Sequence, residues 1–293
     1  MNGVGGLGGW RWIFILEGLL TILVSIAAYF FIFNYPATAS FLTESERSRI
    51  YDRLKASNDA TRDEAFNWKN VRQALSDPKV WLYCLGFHTM SLPLYTLSLF
   101  LPTIIKALGY TSAQAQLLTV PPYSVATVLT LIVAVASEKT KIRAPFIMGT
   151  SSLAIIGYIV LLTNTKPGVA YFGTILAAAG IYPSVAIVLS WPANNVSGQT
   201  KRATANAMQI SIGNLGAVLG TQLYRSTDGP RFFVGHSFAL GYLCANVIVV
   251  GILWTVLRRE NARRDRGERN DRLAGVTEDA WLGDEDPRWR FQT

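Results

Sequence analysis

Charge is scarce in this chain of 293 residues: 16% are Asp, Glu, Lys or Arg, while half are hydrophobic. Soluble domains carry about a quarter charged residues, so most of the chain lacks the means to build a solvated surface. A mean hydropathy of +0.26 agrees. The deficit is uneven, with long uncharged stretches and a few crowded segments. Cysteine is nearly missing too: Cys84 and Cys244 both lie in apolar runs, form no CxxC pair and have no metal-ligand spacing. They read as small buried hydrophobes. There is no Walker loop, no HExxH and no GxSxG. The chain therefore carries no enzyme, cofactor or metal motif. The net charge of +8 invites a nucleic-acid reading. The basic residues, however, sit just outside the apolar stretches, where membrane topology places them, so nucleic acid is not expected as a partner.

What is abundant is apolar sequence in membrane-length runs. A helix needs about 20 apolar residues to cross the hydrocarbon core. Seven runs qualify, over roughly 12–33, 80–104, 114–136, 144–163, 169–191, 204–224 and 235–257. The fold class expected is an all-α polytopic bundle of about seven transmembrane helices embedded in a lipid bilayer. Pro93, Pro102, Pro121, Pro122 and Pro183 fall inside or at the ends of these runs. Membrane helices tolerate such prolines where neighbours satisfy the freed carbonyls, and a break is expected at Pro93. Ala177, Ala178, Ala179 and Gly180, with Gly213, Gly216 and Gly220, permit close helix approach.

Seven spans place the termini on opposite sides. Of the 27 Lys and Arg residues, 22 fall on the side of the 37–79 loop, the third-to-fourth and fifth-to-sixth connections and the tail. That side is expected to be cytoplasmic. Segment 37–78 is polar, and Thr43-Glu44-Ser45-Glu46 ahead of Ile50 and Leu54 predicts a capped amphipathic helix. Segment 258–293 is charged and poor in apolar residues, which predicts a flexible tail.

Ionisable and amide groups inside spans are costly and mark candidate sites. Glu17 lies near the outer end of the first span; it is a candidate for binding a proton or, more plainly, for hydrogen bonding to a neighbour or to Arg11. His88 and Tyr95, seven residues apart, share a helix face and form the first candidate substrate site. The second gathers Tyr182, Asn206, Gln209 and Asn214, with Ser190, Trp191, Asn194 and Asn195 toward the cytoplasmic end. Helix-to-helix hydrogen bonding is the alternative for these amides, and Trp191, Asn194 and Asn195 fit a gating or structural role.

Several stretches carry a family resemblance. Gly9-Trp10-Arg11-Trp12-Ile13-Phe14-Ile15-Leu16-Glu17-Gly18 resembles the opening of the sixth helix in the anion:cation symporter family of the major facilitator superfamily, in its fungal allantoate permease-like branch. Pro36 and Phe41-Leu42-Thr43-Glu44-Ser45-Glu46-Arg47 resemble the entry to that family's central loop. Ser190-Trp191-Pro192-Ala193-Asn194-Asn195 with Lys201-Arg202-Ala203 resembles its tenth-to-eleventh junction. Gly213-Asn214-Leu215-Gly216 resembles its eleventh helix, and Pro230-Arg231-Phe232-Phe233-Val234-Gly235-His236 the loop beyond. Glu138 and Arg143 resemble its acidic-then-basic turn, with Glu in place of the usual Asp.

The resemblance implies helices six to twelve of a twelve-helix transporter built from two halves. It assigns 1–36 to helix six, 37–79 to the cytoplasmic central loop, 80–257 to the six-helix C-terminal half and 258–293 to a charged cytoplasmic tail. It also implies proton-coupled symport of a small organic anion, such as a vitamin or nitrogen-source carboxylate, across the plasma membrane. Helices one to five of the template are missing, so a truncated, non-transporting fragment is a second reading. A seven-helix receptor is a third, opposed by the long first intracellular connection and the lack of an extracellular cysteine pair. The topology is testable: a tag after Thr293 is expected to resist protease added to intact cells, and external cleavage would invert the orientation.

Overall fold

The computed structural model of the chain describes residues 3–33, 36–56, 66–164, 166–274 and 282–293. Part of the central loop and part of the tail therefore lie outside the described residues. Among those described the chain is helical, with no strand. It divides into two units, Met1–Arg62 and Asp63–Thr293.

In the first unit, α1 spans Gly9–Phe31 and buries none of its residues. Its apolar side chains, Ile13, Phe14, Leu20 and Leu23 among them, are exposed. That is untenable in water and normal in lipid. The second helix, α2 (Glu44–Ala56), starts as expected. The Thr43 N–H donates to the Glu46 carboxylate at 2.9 Å, and the Glu46 N–H donates to Thr43 Oγ1 at 3.4 Å. This reciprocal cap satisfies donors that the helix itself leaves open.

The second unit contains α3 (Trp68–Ser76), α4 (Pro78–Ala107), α5 (Ser112–Leu117), α6 (Val120–Thr140), α7 (Ala144–Thr163), α8 (Pro167–Asn195), α9 (Gln199–Gly220) and α10 (Phe233–Asp265). Helix α4 packs on α8, α9 and α10, and α8 packs on α6 and α7. Among the described residues, six helical segments are long and apolar enough to cross a membrane: α1, α4, α5 with α6, α7, α8 and α10. The expected seventh, 204–224, is present as α9, 22 residues long. It is more polar than the other spans, with Asn206, Gln209 and Asn214 inside it.

The sequence departs from expectation at the prolines. Helix α4 runs without a break through Pro93 and Pro102. The expected span at 114–136 is present as one membrane-length segment, Ser112–Thr140, built from two consecutive helices, α5 and α6. Consecutive prolines at 121 and 122 suit the first turn of a helix and disfavour helix before it. The Tyr171 hydroxyl donates to the Leu118 carbonyl at 3.0 Å, covering a group at this junction.

Small residues set the helix spacing. A Cβ on Gly157 would lie 2.5 Å from the Ala177 backbone nitrogen, and one on Gly216 would lie 2.7 Å from the His88 carbonyl oxygen. Both contacts are backbone on backbone, so neither could yield to a larger side chain. A polar knot joins four helices at this depth. Asn246 of α10 is fully buried; its Nδ2 donates to the Gly86 carbonyl at 2.8 Å and to Thr89 Oγ1 at 3.0 Å. Ser151 of α7 donates to Asn246 Oδ1 at 3.1 Å, and Ser151 Oγ lies 3.2 Å from Ser184 Oγ of α8. At the loop end near α10, Tyr224 stacks on Phe100 and its hydroxyl lies 2.9 Å from His236 Nδ1.

The expected flexible tail is corrected for residues 282–293, which dock on the opposite end of the bundle. The Gln292 main chain is gripped by Asn195. The Gln292 N–H donates to Asn195 Oδ1 at 2.7 Å, while Asn195 Nδ2 and Trp191 Nε1 each donate to the Gln292 carbonyl at 2.8 Å. The buried Arg264 donates to the carbonyls of Asp284, Asp286 and Trp289 and lies over the Phe291 ring. Asn261 closes both main-chain groups of Phe291 at 2.9 Å. Lys201 pairs with Asp284 at 2.8 Å and with Asp77 at 3.4 Å. Low average hydrophobicity concealed Trp289 and Phe291, which alternate with charged residues and supply the anchors. Within the segment, Arg288 beside Asp286 holds that carboxyl below the usual carboxylate range.

Two measurements check this packing. Asn246→Leu removes the centre of the knot and strands its partners, at a cost of about 1–3 kcal/mol; a lower Tm in detergent is expected, and an unchanged Tm would show the knot to be inert. Asn195→Ala frees the Gln292 main chain, so trypsin should cut after Arg288 or Arg290 roughly tenfold faster than in the parent. Equal cleavage rates would mean the segment is held elsewhere.

Candidate functional site

The sequence candidates fall into three places. The first is the seam of α4 and α9. Tyr95 of α4 donates its hydroxyl to Asn214 Oδ1 of α9 at 3.3 Å. Two helical turns away on the same α4 face, His88 Nδ1 lies 3.1 Å from the Ile212 carbonyl. A carbonyl only accepts, so Nδ1 donates to it. The His88 ring packs against Tyr242 with centroids 5.7 Å apart. Both His88 and Tyr95 are half-buried.

The second place adjoins it. Ser98 lies three residues beyond Tyr95 on α4, and its hydroxyl is 2.8 Å from that of Tyr182 on α8. Tyr182 in turn meets Tyr123 of α6 edge to face, with ring centroids 5.6 Å apart. Tyr123 and Tyr182 line a cavity of about 310 Å³ together with Ala126, Thr127, Thr130 and Leu131. A row of polar groups thus runs from Asn214 through Tyr95, Ser98 and Tyr182 to Tyr123, across α9, α4, α8 and α6. The cavity is apolar with a few hydroxyls at its edge, the usual character of a small-molecule site. Sequence reading missed Ser98 and Tyr123; their signals were the helical spacing from Tyr95 and the position just after Pro121-Pro122.

The third place is the end where the tail docks. Gln209 is buried and donates to the Val188 carbonyl at 2.9 Å, so it ties α9 to α8 and does not face the cavity. Asn206, one turn earlier, buries a side-chain oxygen that meets no hydrogen-bond donor among the described residues. Trp191 packs edge to face on Tyr83, and Asn195 donates to the Tyr83 hydroxyl at 2.7 Å. Asn194 donates only to the Ser190 carbonyl of its own helix. Buried Arg143 donates to Gln292 Oε1 at 3.2 Å and to Ser137 Oγ at 3.2 Å, and pairs with Glu138, which also pairs with Lys141. Glu138, Arg143, Trp191 and Asn195 are thus all engaged in contacts at this end. Glu17, in the first unit, is exposed on α1, and Arg11 lies over the Trp10 ring at 5.3 Å in place of pairing with it.

Three comparisons bear on what such a bundle is. The Major Facilitator Superfamily profile matches residues 2–221. An uncharacterised transporter of Schizosaccharomyces pombe is 34% identical over 270 residues, covering 91% of this chain and 55% of the relative. The high-affinity nicotinic acid transporter of Saccharomyces cerevisiae is 30% identical over 291 residues, covering 98% of this chain and 54% of the relative. The chain spans about half the length of the curated relatives it matches. These matches set aside the receptor reading and point to a transporter, not an enzyme. With membrane-length apolar helices, a bundle that exposes its hydrophobic residues and a profile covering most of its length, the chain is an integral multi-pass membrane protein belonging to the major facilitator superfamily.

Proposed function

We propose that this chain supplies the C-terminal half of a proton-coupled symporter for a small organic anion, of the anion:cation symporter type and its allantoate permease-like branch, at the plasma membrane. The observation that carries the reading is the polar row Asn214–Tyr95–Ser98–Tyr182–Tyr123 inside an otherwise apolar bundle. In lipid, polar groups persist where they are paired or used. Here the Tyr95 hydroxyl and the Asn214 amide would orient a carboxylate, and the aromatic wall of Tyr123 and Tyr182 would take its ring or chain. The similarity to a nicotinic acid transporter supports an aromatic carboxylate as cargo. His88 fits the coupling role, because it is an ionisable ring at the α4–α9 seam whose Nδ1 is held by the Ile212 carbonyl. The end that holds Arg143, Lys201, Arg264 and residues 282–293 would be the cytoplasmic end, consistent with the bias of basic residues. Asn195 and Trp191 would hold that end shut, as gate residues.

The test is uptake of labelled nicotinate and related carboxylates by cells expressing the complete reading frame around this chain. Saturable uptake that rises as the outer pH falls is expected; no uptake of any carboxylate, with protein at the surface, would end the reading. Within it, Tyr95→Phe loses a hydrogen bond to a charged group and should raise KM about tenfold or more. His88→Ala should raise KM and flatten the dependence on outer pH with surface protein unchanged. Unaltered kinetics in either variant would remove that residue from the site.

A further inference from the structure

A basic concavity lies away from the transport row, beyond the end of the α10 span. It is about 600 Å³ in volume and receives seven cationic side chains against four carboxylates. Lys79, Lys201, Arg259, Arg263, Arg264, Arg269 and Arg272 face Asp77, Glu260, Asp284 and Glu285. The carboxylates are largely committed. Asp77 and Asp284 are shared by Lys79 and Lys201. Glu260 is shared by Arg264 and Arg269, at 3.3 and 2.9 Å. Arg272 finds only the Glu285 backbone carbonyl at 3.2 Å, and Arg263 reaches Glu268 at 3.9 Å, outside the cavity. Arg259 has no ion-pair partner among the described residues. A surplus of three positive charges is thus held in one concave wall, where surrounding protein of low dielectric strengthens the field.

The walls are firm. The α10 side is a continuous helix to Asp265, and the facing side is the tail segment that Arg264 fixes through three carbonyls. The cavity also sits at a definite level. Helix α10 is apolar through Leu257 and then carries Arg258 and Arg259, and the exposed Val256 lines the cavity's membrane-side edge. Charged groups at that boundary are at headgroup depth, where basic pockets attract phosphorylated lipids. Guanidinium forks match phosphate oxygens two at a time, and five of the seven cations are arginines.

We propose that this cavity binds an anion bearing two or more phosphate groups, with Arg259 and Arg272 as its principal ligands. The source is the headgroup of a membrane lipid or a soluble phosphorylated molecule of the same chemistry. Binding would add a counter-charge between α10 and residues 282–285 and so stabilise the docked tail.

The test uses the full chain in phosphatidylcholine nanodiscs, with and without phosphatidylinositol bisphosphate, and separately with soluble inositol trisphosphate. Either probe is expected to raise Tm by a few degrees and to lose at least tenfold in affinity in the variant carrying Arg259→Gln and Arg272→Gln. Arg258→Gln, which removes the same charge outside the cavity, should retain binding. A response to both probes identifies the headgroup phosphates as sufficient. A response to one alone assigns the lipid or the soluble source. No response to either probe, or equal affinity in the double variant, overturns the proposal. Should the double variant misfold, Arg259→Gln alone serves, because Arg259 holds no ion-pair partner among the described residues.

Discussion

Hydrocarbon offers no hydrogen bonds, and that single constraint arranges the polar residues of this molecule. Each polar group inside the bundle must find its partner there. Asn246 does so by using both ends of its amide, reaching α4 with one and accepting from α7 with the other. Gln209 spends its donor on the Val188 carbonyl. Many serines and threonines turn back on their own helix, as Thr96 does toward the Leu92 carbonyl at 2.9 Å. The groups that join different helices are therefore few, and they decide which helices are neighbours.

The two ends of the bundle solve the problem of closure differently. At the end near Tyr224, aromatic rings interleave: Phe100, Phe232 and His236 all pack on that tyrosine. At the other end the seal is charged and uses main-chain groups, with Lys201 and Arg264 buried among carboxylates and carbonyls. Buried charges of this kind are tolerated only when fully paired. The aromatic end is closed by packing, whereas the charged end is closed by a set of bonds that can be exchanged for water or for another ligand. A transporter that opens its ends in turn would draw on that difference.

How much of this was written in the sequence depends on range. Six of the seven apolar runs return as membrane-length apolar helices among the described residues, because length and hydrophobicity are local properties. The cap at Thr43 and Glu46 was equally legible, since its partners are three residues apart. The pairing of Tyr95 with Asn214 was not, because the partners are 119 residues apart and nothing local links them. Amides grouped by helical spacing were split by tertiary packing: Asn214 joined Tyr95, while Gln209 turned to α8. The docked tail was hidden for a different reason. Its charge density reads as solvated segment, yet Arg288 pairs with the Asp286 carboxylate and Arg290 with the Asp265 carboxylate and the Pro287 and Trp289 carbonyls.

Asn195 meets Gln292 through the peptide group, accepting from its nitrogen and donating to its oxygen. Every amino acid except proline presents that same pair of atoms. The grip therefore reads where the chain passes and not what side chain it carries, much as a neighbouring strand would. A change at residue 292 would lose the bond from Arg143 to its side chain and leave these main-chain contacts available. An insertion or deletion of one residue ahead of it has the opposite character: it preserves every composition measure of the tail and shifts Trp289 and Phe291 off their seats together.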